Sequence, residues 1–367
     1  MSDGRCAIKS RVRELRRYSL RPERARIKLN QNESPWDVPL EVKEESLRRI
    51  ALRAWSRYPD FVPREFHERL AAFAAWRPDG ILAGNGSNEL IQALLMVTVG
   101  RGKRVMINEP TFALYRQIAT ILEGEVISVP LTPKLNYDVE ALRKQVQLTQ
   151  PEVIIICSPN NPTGCVIDHA DLVSLLEMTR GLVVVDEAYF EFAEQTAVTL
   201  LHKYPNLIVL RTFSKAMAMA GLRIGYLMAA PELVSEIGKA ILPGNLDIVS
   251  QTAAEVAIEF YESKLRSRIE LTISERERLY VELKAIPGLV PVASRANFMV
   301  VRSVIGPQQV FDELLNRDIL VRDVSSYPML KDYFRITVGK PEENDEVIKA
   351  LREIFNSKPA APAGLKQ

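Results

Sequence analysis

The chain has 367 residues, 47% of them hydrophobic and 26% charged, and a net charge of +2. That is the composition of an ordinary globular protein, long enough for one large domain and a smaller one, and it excludes the strong field expected of a nucleic-acid or anionic-membrane binder. No apolar run reaches the ~18 residues of a membrane-spanning helix, and Cys6, Cys157 and Cys165 show neither metal spacing nor a disulfide framework, which fits a reducing cytoplasm.

In chain order, the N-terminal arm is rich in arginine between Arg5 and Lys28, interrupted by Glu14 and Glu23, and reads as a solvated segment. Gly84-Asn85-Gly86-Ser87-Asn88-Glu89 then follows no clear strand and opens an apolar helix over Leu90 to Val99. Short β-branched runs come next: RVMI (104–107), VISV (126–129), VIIIC (153–157), LVVVD (182–186), LIVL (207–210) and IGYLM (224–228). Continuous apolar strands are buried on both faces, so the middle of the chain predicts a mainly parallel sheet covered by helices, an α/β fold. After Pro231 long charged helices are expected, notably over Ser250 to Leu283, followed by NFMVV (297–301), a helix from Pro307 to Arg317 and YFRITVG (333–339). The expected division is 1–50 for the arm and part of a small domain, 51–245 for the large domain, 246–357 for the small one, and a disordered Pro/Ala-rich tail over 358–367.

The strand ends carry the candidate chemistry. Lys215 follows LIVL, with Thr212 and Ser214 just before it and Arg223 after it. A lysine near other cations loses its proton more easily and can attack a carbonyl, while hydroxyls and a guanidinium are the donors a phosphate needs. Asp186 and Tyr189 follow LVVV; a carboxylate at a buried strand end caps a helix or pairs with a cation such as a protonated ring nitrogen. Asn161 lies in the stiff turn SPNNPTG, as a turn residue or as a fixed amide for a ring hydroxyl, and Phe112 in EPTFALY is either core or a face for a flat ring. Gly86, Ser87 and Asn88 open a helix, whose backbone amides suit a phosphate.

Taken together, KLNQNESP, RYPD, GNGSNEL, EPTFALY, SPNNPTG, DEAYFEF, TFSKAMAMAGLRIGY, ANFMVVR and FRITVG resemble the fold-type I enzymes dependent on pyridoxal phosphate, and within them the histidinol-phosphate aminotransferase group. The resemblance runs from about Ile27 to Gly339 and implies a seven-stranded, mainly parallel sheet in the large domain with a smaller α/β domain beside it. It implies that Lys215 carries the cofactor and shuttles the proton between substrate Cα and cofactor C4′, that Asp186 pairs with the pyridine nitrogen, and that Asn161 and Tyr189 bond the phenolic oxygen. Phe112 would cover the ring. Gly86, Ser87, Asn88, Thr212, Ser214 and Arg223 would hold the phosphate, joined by Tyr58 from the other subunit of a homodimer with shared active sites. Arg335, with Arg322, would bind the substrate's anionic group, and Asn32 and Tyr18 are further substrate candidates.

The implied activity is amino transfer between a small-molecule amino donor and a keto acid: imidazole acetol phosphate and glutamate, giving histidinol phosphate. An aromatic or broad-specificity aminotransferase shares every motif, and decarboxylation of threonine phosphate uses the same cofactor site. Three segments depart from the pattern of the group: Asn88 stands where an acid is usual, Ala218-Met219 where Gly-Leu is usual, and Tyr18 in RRYSLRP where Pro-Tyr before glycine is usual.

Overall fold

The computed structural model describes residues 4–15 and 23–356; Tyr18 and the 358–367 tail lie outside the described residues. The chain enters through β1 (Ile27–Lys28) and builds its principal sheet from β2 (Ile81–Asn85), β3 (Arg104–Glu109), β4 (Glu125–Pro130), β5 (Val153–Cys157), β6 (Leu182–Asp186), β7 (Leu207–Thr212) and β8 (Ile224–Met228). The spatial order is β2-β8-β7-β6-β5-β3-β4. Only β8 runs against its neighbours, β7 and β2, and every other pairing is parallel.

The reason lies in the side chains. In β5, Ile154 and Ile156 join the core on one face, and Val153, Ile155 and Cys157 join the core on the other. A strand that is apolar at every position can be stable only between two helical layers, each buried Ile contributing about 1.5–3 kcal/mol. Helix Ser87–Thr98 supplies Leu90, Ile91, Leu94 and Leu95 to one layer, and helices Val139–Thr149 and His169–Met178 supply Leu142, Val146, Leu172 and Leu175 to the other.

Two sequence expectations need correction here. A strand, β2, does precede the glycine turn: its Ala-Gly pair has little intrinsic β preference, but pairing with β8 along its full length, Gly84 against Gly225, holds it extended. And β7 continues to Thr212 instead of ending at Leu210, because Arg211 and Thr212 pair with Tyr226 and Gly225.

A second sheet, β12-β13-β10-β9, is antiparallel and consists of β9 (Leu289–Pro291), β10 (Phe298–Ser303), β12 (Arg322–Asp323) and β13 (Tyr333–Thr337). Between its strands in sequence, β11 (Ile319–Leu320) pairs in parallel with β1, tying the N-terminal segment to this region. Helices Arg266–Lys284, Pro307–Leu315 and Pro341–Asn356 close its core with Leu279, Leu283, Leu314, Val347 and Leu351. The charged helical stretch after residue 250 is two helices, Ile248–Glu259 and Arg266–Lys284, separated by a π-helical turn at Tyr261–Leu265. Helix Ile248–Glu259, assigned from the sequence to the smaller domain, buries Ala253, Ala254, Val256 and Ala257 in the core of the large sheet, as helix Leu40–Ala51 buries Val42. Among the described residues no helix is long and apolar enough to cross a membrane.

Candidate active site

Strand order reverses between β3 and β5, and in such sheets ligands bind outside the carboxyl ends of the strands at that point. A cavity of about 460 Å³ opens there. The ends of β3, β5, β6 and β7 are each followed by a segment that lines it: Phe112, Asn161, Asp186 with Tyr189, and Ser214 with Lys215.

One end of the cavity is an anion seat. Gly86 caps helix Ser87–Thr98 with φ +75°, and a Cβ there would lie 2.5 Å from Arg223 Nη2, so only glycine lets the guanidinium approach the helix terminus. Arg223 Nη1 donates to Ser214 Oγ at 3.1 Å, and Thr212 Oγ1 donates to the same oxygen at 3.0 Å. Strand β8 also abuts this loop: a Cβ on Gly225 would lie 2.4 Å from the Ser87 nitrogen. Backbone amides at a helix N-terminus, two hydroxyls and an arginine form a donor set matched to a phosphate.

The middle of the cavity would accept a flat ring carrying a basic nitrogen and a hydroxyl. Phe112 forms one wall, edge-on to the buried Tyr115 with centroids 5.5 Å apart. Asp186 is buried at the end of β6; its Oδ1 accepts from the Ala188 amide at 3.1 Å and its Oδ2 from the Tyr115 hydroxyl at 2.6 Å. It caps no α-helix. Burial pushes its carboxyl up, opposed by the Tyr115 and Ala188 hydrogen bonds. Beside it the Tyr189 hydroxyl accepts from Asn32 Nδ2 at 3.1 Å and from Asn161 Nδ2 at 3.3 Å. Burial raises this phenol too, so it stays protonated and keeps its own proton to donate.

Lys215 is half-buried between these two parts, and its Nζ donates to the Gln31 carbonyl at 3.0 Å. Burial lowers its pKa to about 7, with the charges of Arg335 and Arg223 adding to the effect against Glu33. A large fraction of this amine is therefore unprotonated near neutrality, as a nucleophile requires.

On the far side β12 and β13 place Arg322 directly opposite Arg335 in the antiparallel register, and both line the cavity. Arg335 donates to Asn161 Oδ1 at 2.7 Å and to the Asn30 carbonyl at 2.8 Å, two neutral oxygens. Arg322 makes no ion pair among the described residues. Like charges directly opposite on a sheet destabilise it, and an anion between them reverses the sign.

The expected residues therefore converge, with two exceptions. Tyr58 does not line the cavity; it is 88% exposed, within an apolar stretch that includes Leu52, Trp55, Phe61 and Val62. Tyr18 lies outside the described residues. Sequence reasoning assigned no role to Tyr115, Gln31 or Asn30. Tyr115 had a signal, a lone tyrosine on the buried stripe of helix Leu114–Ile121, whereas the other two act through backbone carbonyls, which no side chain betrays.

The model of the aminotransferase class I and II family matches residues 24–351. The chain belongs to this family. A histidinol-phosphate aminotransferase from Chlorobaculum tepidum is 38% identical over 333 residues, covering 90% of this chain and 95% of that protein. One from Chlorobium phaeobacteroides is 40% identical over 344 residues, covering 93% and 95%. Among solved structures, histidinol-phosphate aminotransferase from Sinorhizobium meliloti in complex with pyridoxal-5′-phosphate superposes with a TM-score of 0.86 at 23% identity, covering 97% of this chain and 99% of that one, a likeness of fold. Among the described residues there is no cluster of His, Cys, Asp and Glu that could hold a metal ion.

Proposed function

We propose that the protein is a pyridoxal 5′-phosphate-dependent histidinol-phosphate aminotransferase of histidine biosynthesis, exchanging an amino group between L-glutamate and imidazole acetol phosphate to give 2-oxoglutarate and L-histidinol phosphate. The observation that carries this reading is one cavity joining a lysine of lowered pKa, a buried carboxylate, a set of phosphate donors and a pair of arginines, in a chain 37–40% identical to enzymes of that name over about nine-tenths of its length.

When bound, the cofactor supplies an electron sink that stabilises the negative charge formed at the substrate carbon when its proton leaves. The residues fit that group. Asp186 would pair with the protonated ring nitrogen, a cation that offsets the cost of burying its carboxylate, and Tyr115 and Ala188 fix the carboxylate's orientation. Asn161 and Tyr189, already bonded to each other, would hydrogen-bond the phenolic oxygen, and Phe112 would cover a face of the ring. Gly86, Ser87, Asn88, Thr212, Ser214 and Arg223 would hold the phosphate, the glycine admitting Arg223 close to the helix terminus. Lys215 would hold the cofactor through its Nζ, and the same amine is the base placed to take the proton from the substrate carbon and give it back.

Arg322 and Arg335 bind the anionic group that both substrates carry, a phosphate in one and a carboxylate in the other, and Asn32 positions Tyr189 from the substrate side. The exposed Leu52–Val62 stretch supports a homodimer in which Tyr58 completes the partner's phosphate seat, and the three free cysteines support a cytoplasmic enzyme.

The test is turnover of histidinol phosphate with 2-oxoglutarate by the purified protein, compared with phenylalanine and tyrosine as donors. A kcat/KM for histidinol phosphate above those of both aromatic amino acids supports the reading; preference for the aromatic donors refutes it.

A further inference from the structure

A second cavity, of about 350 Å³, lies against the first and shares three of its residues, Phe112, Arg322 and Tyr327. Its walls suit a small flat ring, with Ile107, Pro110 and Phe112 on the apolar side. Its polar groups are mostly committed. The Thr111 hydroxyl donates to Asn160 Oδ1 at 2.7 Å, and Arg116 donates through Nε to Glu109 Oε1 at 2.8 Å and through Nη2 to Ser128. Glu109 Oε2 is different: it makes no hydrogen bond among the described residues, Arg116 being bonded to the other oxygen, Oε1, and the side chain is only 23% exposed. A carboxylate oxygen without a protein donor, on a side chain that lines a cavity with one apolar wall, is an acceptor open to an N–H or O–H.

Arg322 reaches both cavities, so a ligand anchored on it sits at the opening between them. We propose that the second cavity is the seat of the substrate's distal azole ring, with Phe112 and Tyr327 forming the partition and Glu109 Oε2 accepting the ring N–H. This rests on the proposed function, and it adds a basis for choosing between the two half-reactions and against other amines. Glutamate has no ring and leaves the cavity to water. Phenylalanine fills the slot but gives Glu109 no donor, so the carboxylate loses water without a replacement.

The experiment compares kcat/KM for histidinol phosphate and for phenylalanine in the holoenzyme, its Glu109→Ala variant and its Arg116→Ala variant, together with the dissociation constant of histidinol phosphate on Lys215→Ala protein by calorimetry. Loss of one charged acceptor predicts that Glu109→Ala narrows the preference for histidinol phosphate over phenylalanine roughly tenfold and weakens its binding by a similar factor. Arg116→Ala, which keeps the acceptor and removes only its ion-pair partner, is expected to retain most of the preference. Should Glu109→Ala not fold, Glu109→Gln carries the same test with a narrowing of about threefold, since its amide oxygen still accepts but without charge. Equal loss toward both donors, or an Arg116→Ala variant that narrows the preference as much, overturns the assignment of the cavity while leaving the proposed function standing. A wild-type enzyme that does not convert histidinol phosphate at all removes both.

Discussion

The Tyr115 hydroxyl donates to Asp186 Oδ2 at 2.6 Å inside the core, so one of the two carboxylate oxygens at the centre of the site is committed to a phenol on helix Leu114–Ile121. A hydrogen bond to a charged acceptor is worth about 1.5–3 kcal/mol when neither group can turn to water. Tyr115→Phe removes only the oxygen. We expect kcat to fall about tenfold or more and the cofactor to be held less tightly, with the fold intact. Steady-state kinetics, equilibrium dialysis of the cofactor and thermal melting of the apoprotein check this together, and unchanged cofactor affinity would count against the coupling.

Lys215→Ala is expected to abolish turnover. The side chain makes one hydrogen bond, to a carbonyl, so the variant keeps the circular dichroism and size of the parent protein. Residual turnover within about tenfold of wild type would remove the lysine from the chemistry.

The depressed pKa of Lys215, about 7 against an ordinary value of 10.5, has a sign that can be tested. Between those values the unfolded chain binds a proton at this position that the folded protein has lost, so the lysine's contribution makes the apoprotein more stable as pH rises from about 7 towards 10.5. Below pH 7 that gain is absent. Denaturant unfolding of apoprotein and of Lys215→Met across this window should differ in slope, the variant being flatter. The rate at which apoprotein takes up the cofactor aldehyde should rise through a midpoint near pH 7, not near 10.5.

Arg322 and Arg335 oppose each other across β12 and β13. Arg322→Met relieves that repulsion, which is expected to stabilise the ligand-free protein by about 0.2–1 kcal/mol. The same change is expected to weaken binding of anionic substrates about tenfold or more. Melting curves with and without glutamate read both effects; a variant that loses stability in the absence of ligand contradicts the account.

Gly225→Ala tests how the phosphate seat is built. The added methyl would lie 2.4 Å from the Ser87 nitrogen and 2.7 Å from the Gly86 carbonyl carbon, both backbone atoms of the turn that must move. Overpacking of this kind costs about 1–3 kcal/mol, and here it also displaces the amides of the proposed phosphate seat. A lowered melting temperature with reduced affinity for inorganic phosphate in the apoprotein is expected.

Much of this was legible in the sequence because the sheet is buried on both faces. Runs such as VIIIC and LVVVD have no other stable use, and their ends mark Asn161, Asp186 and Lys215 directly. Strand β2 was not legible, since Ala83 and Gly84 are held extended by a partner more than a hundred positions away. The Arg322–Arg335 opposition was hidden for a similar reason, register being a tertiary fact. Backbone acceptors such as the Gln31 carbonyl leave no trace in residue identity at all. Tyr58 shows the reverse case: its motif is plain, yet within one chain it is exposed and does not line the cavity.

The most direct test is the absorption spectrum of the purified protein with bound cofactor, recorded before and after adding histidinol phosphate with no keto acid present. The account predicts a yellow band that disappears on addition, replaced by near-ultraviolet absorption of the aminated cofactor, with imidazole acetol phosphate released in equal amount. A band that persists in the presence of saturating histidinol phosphate would contradict it.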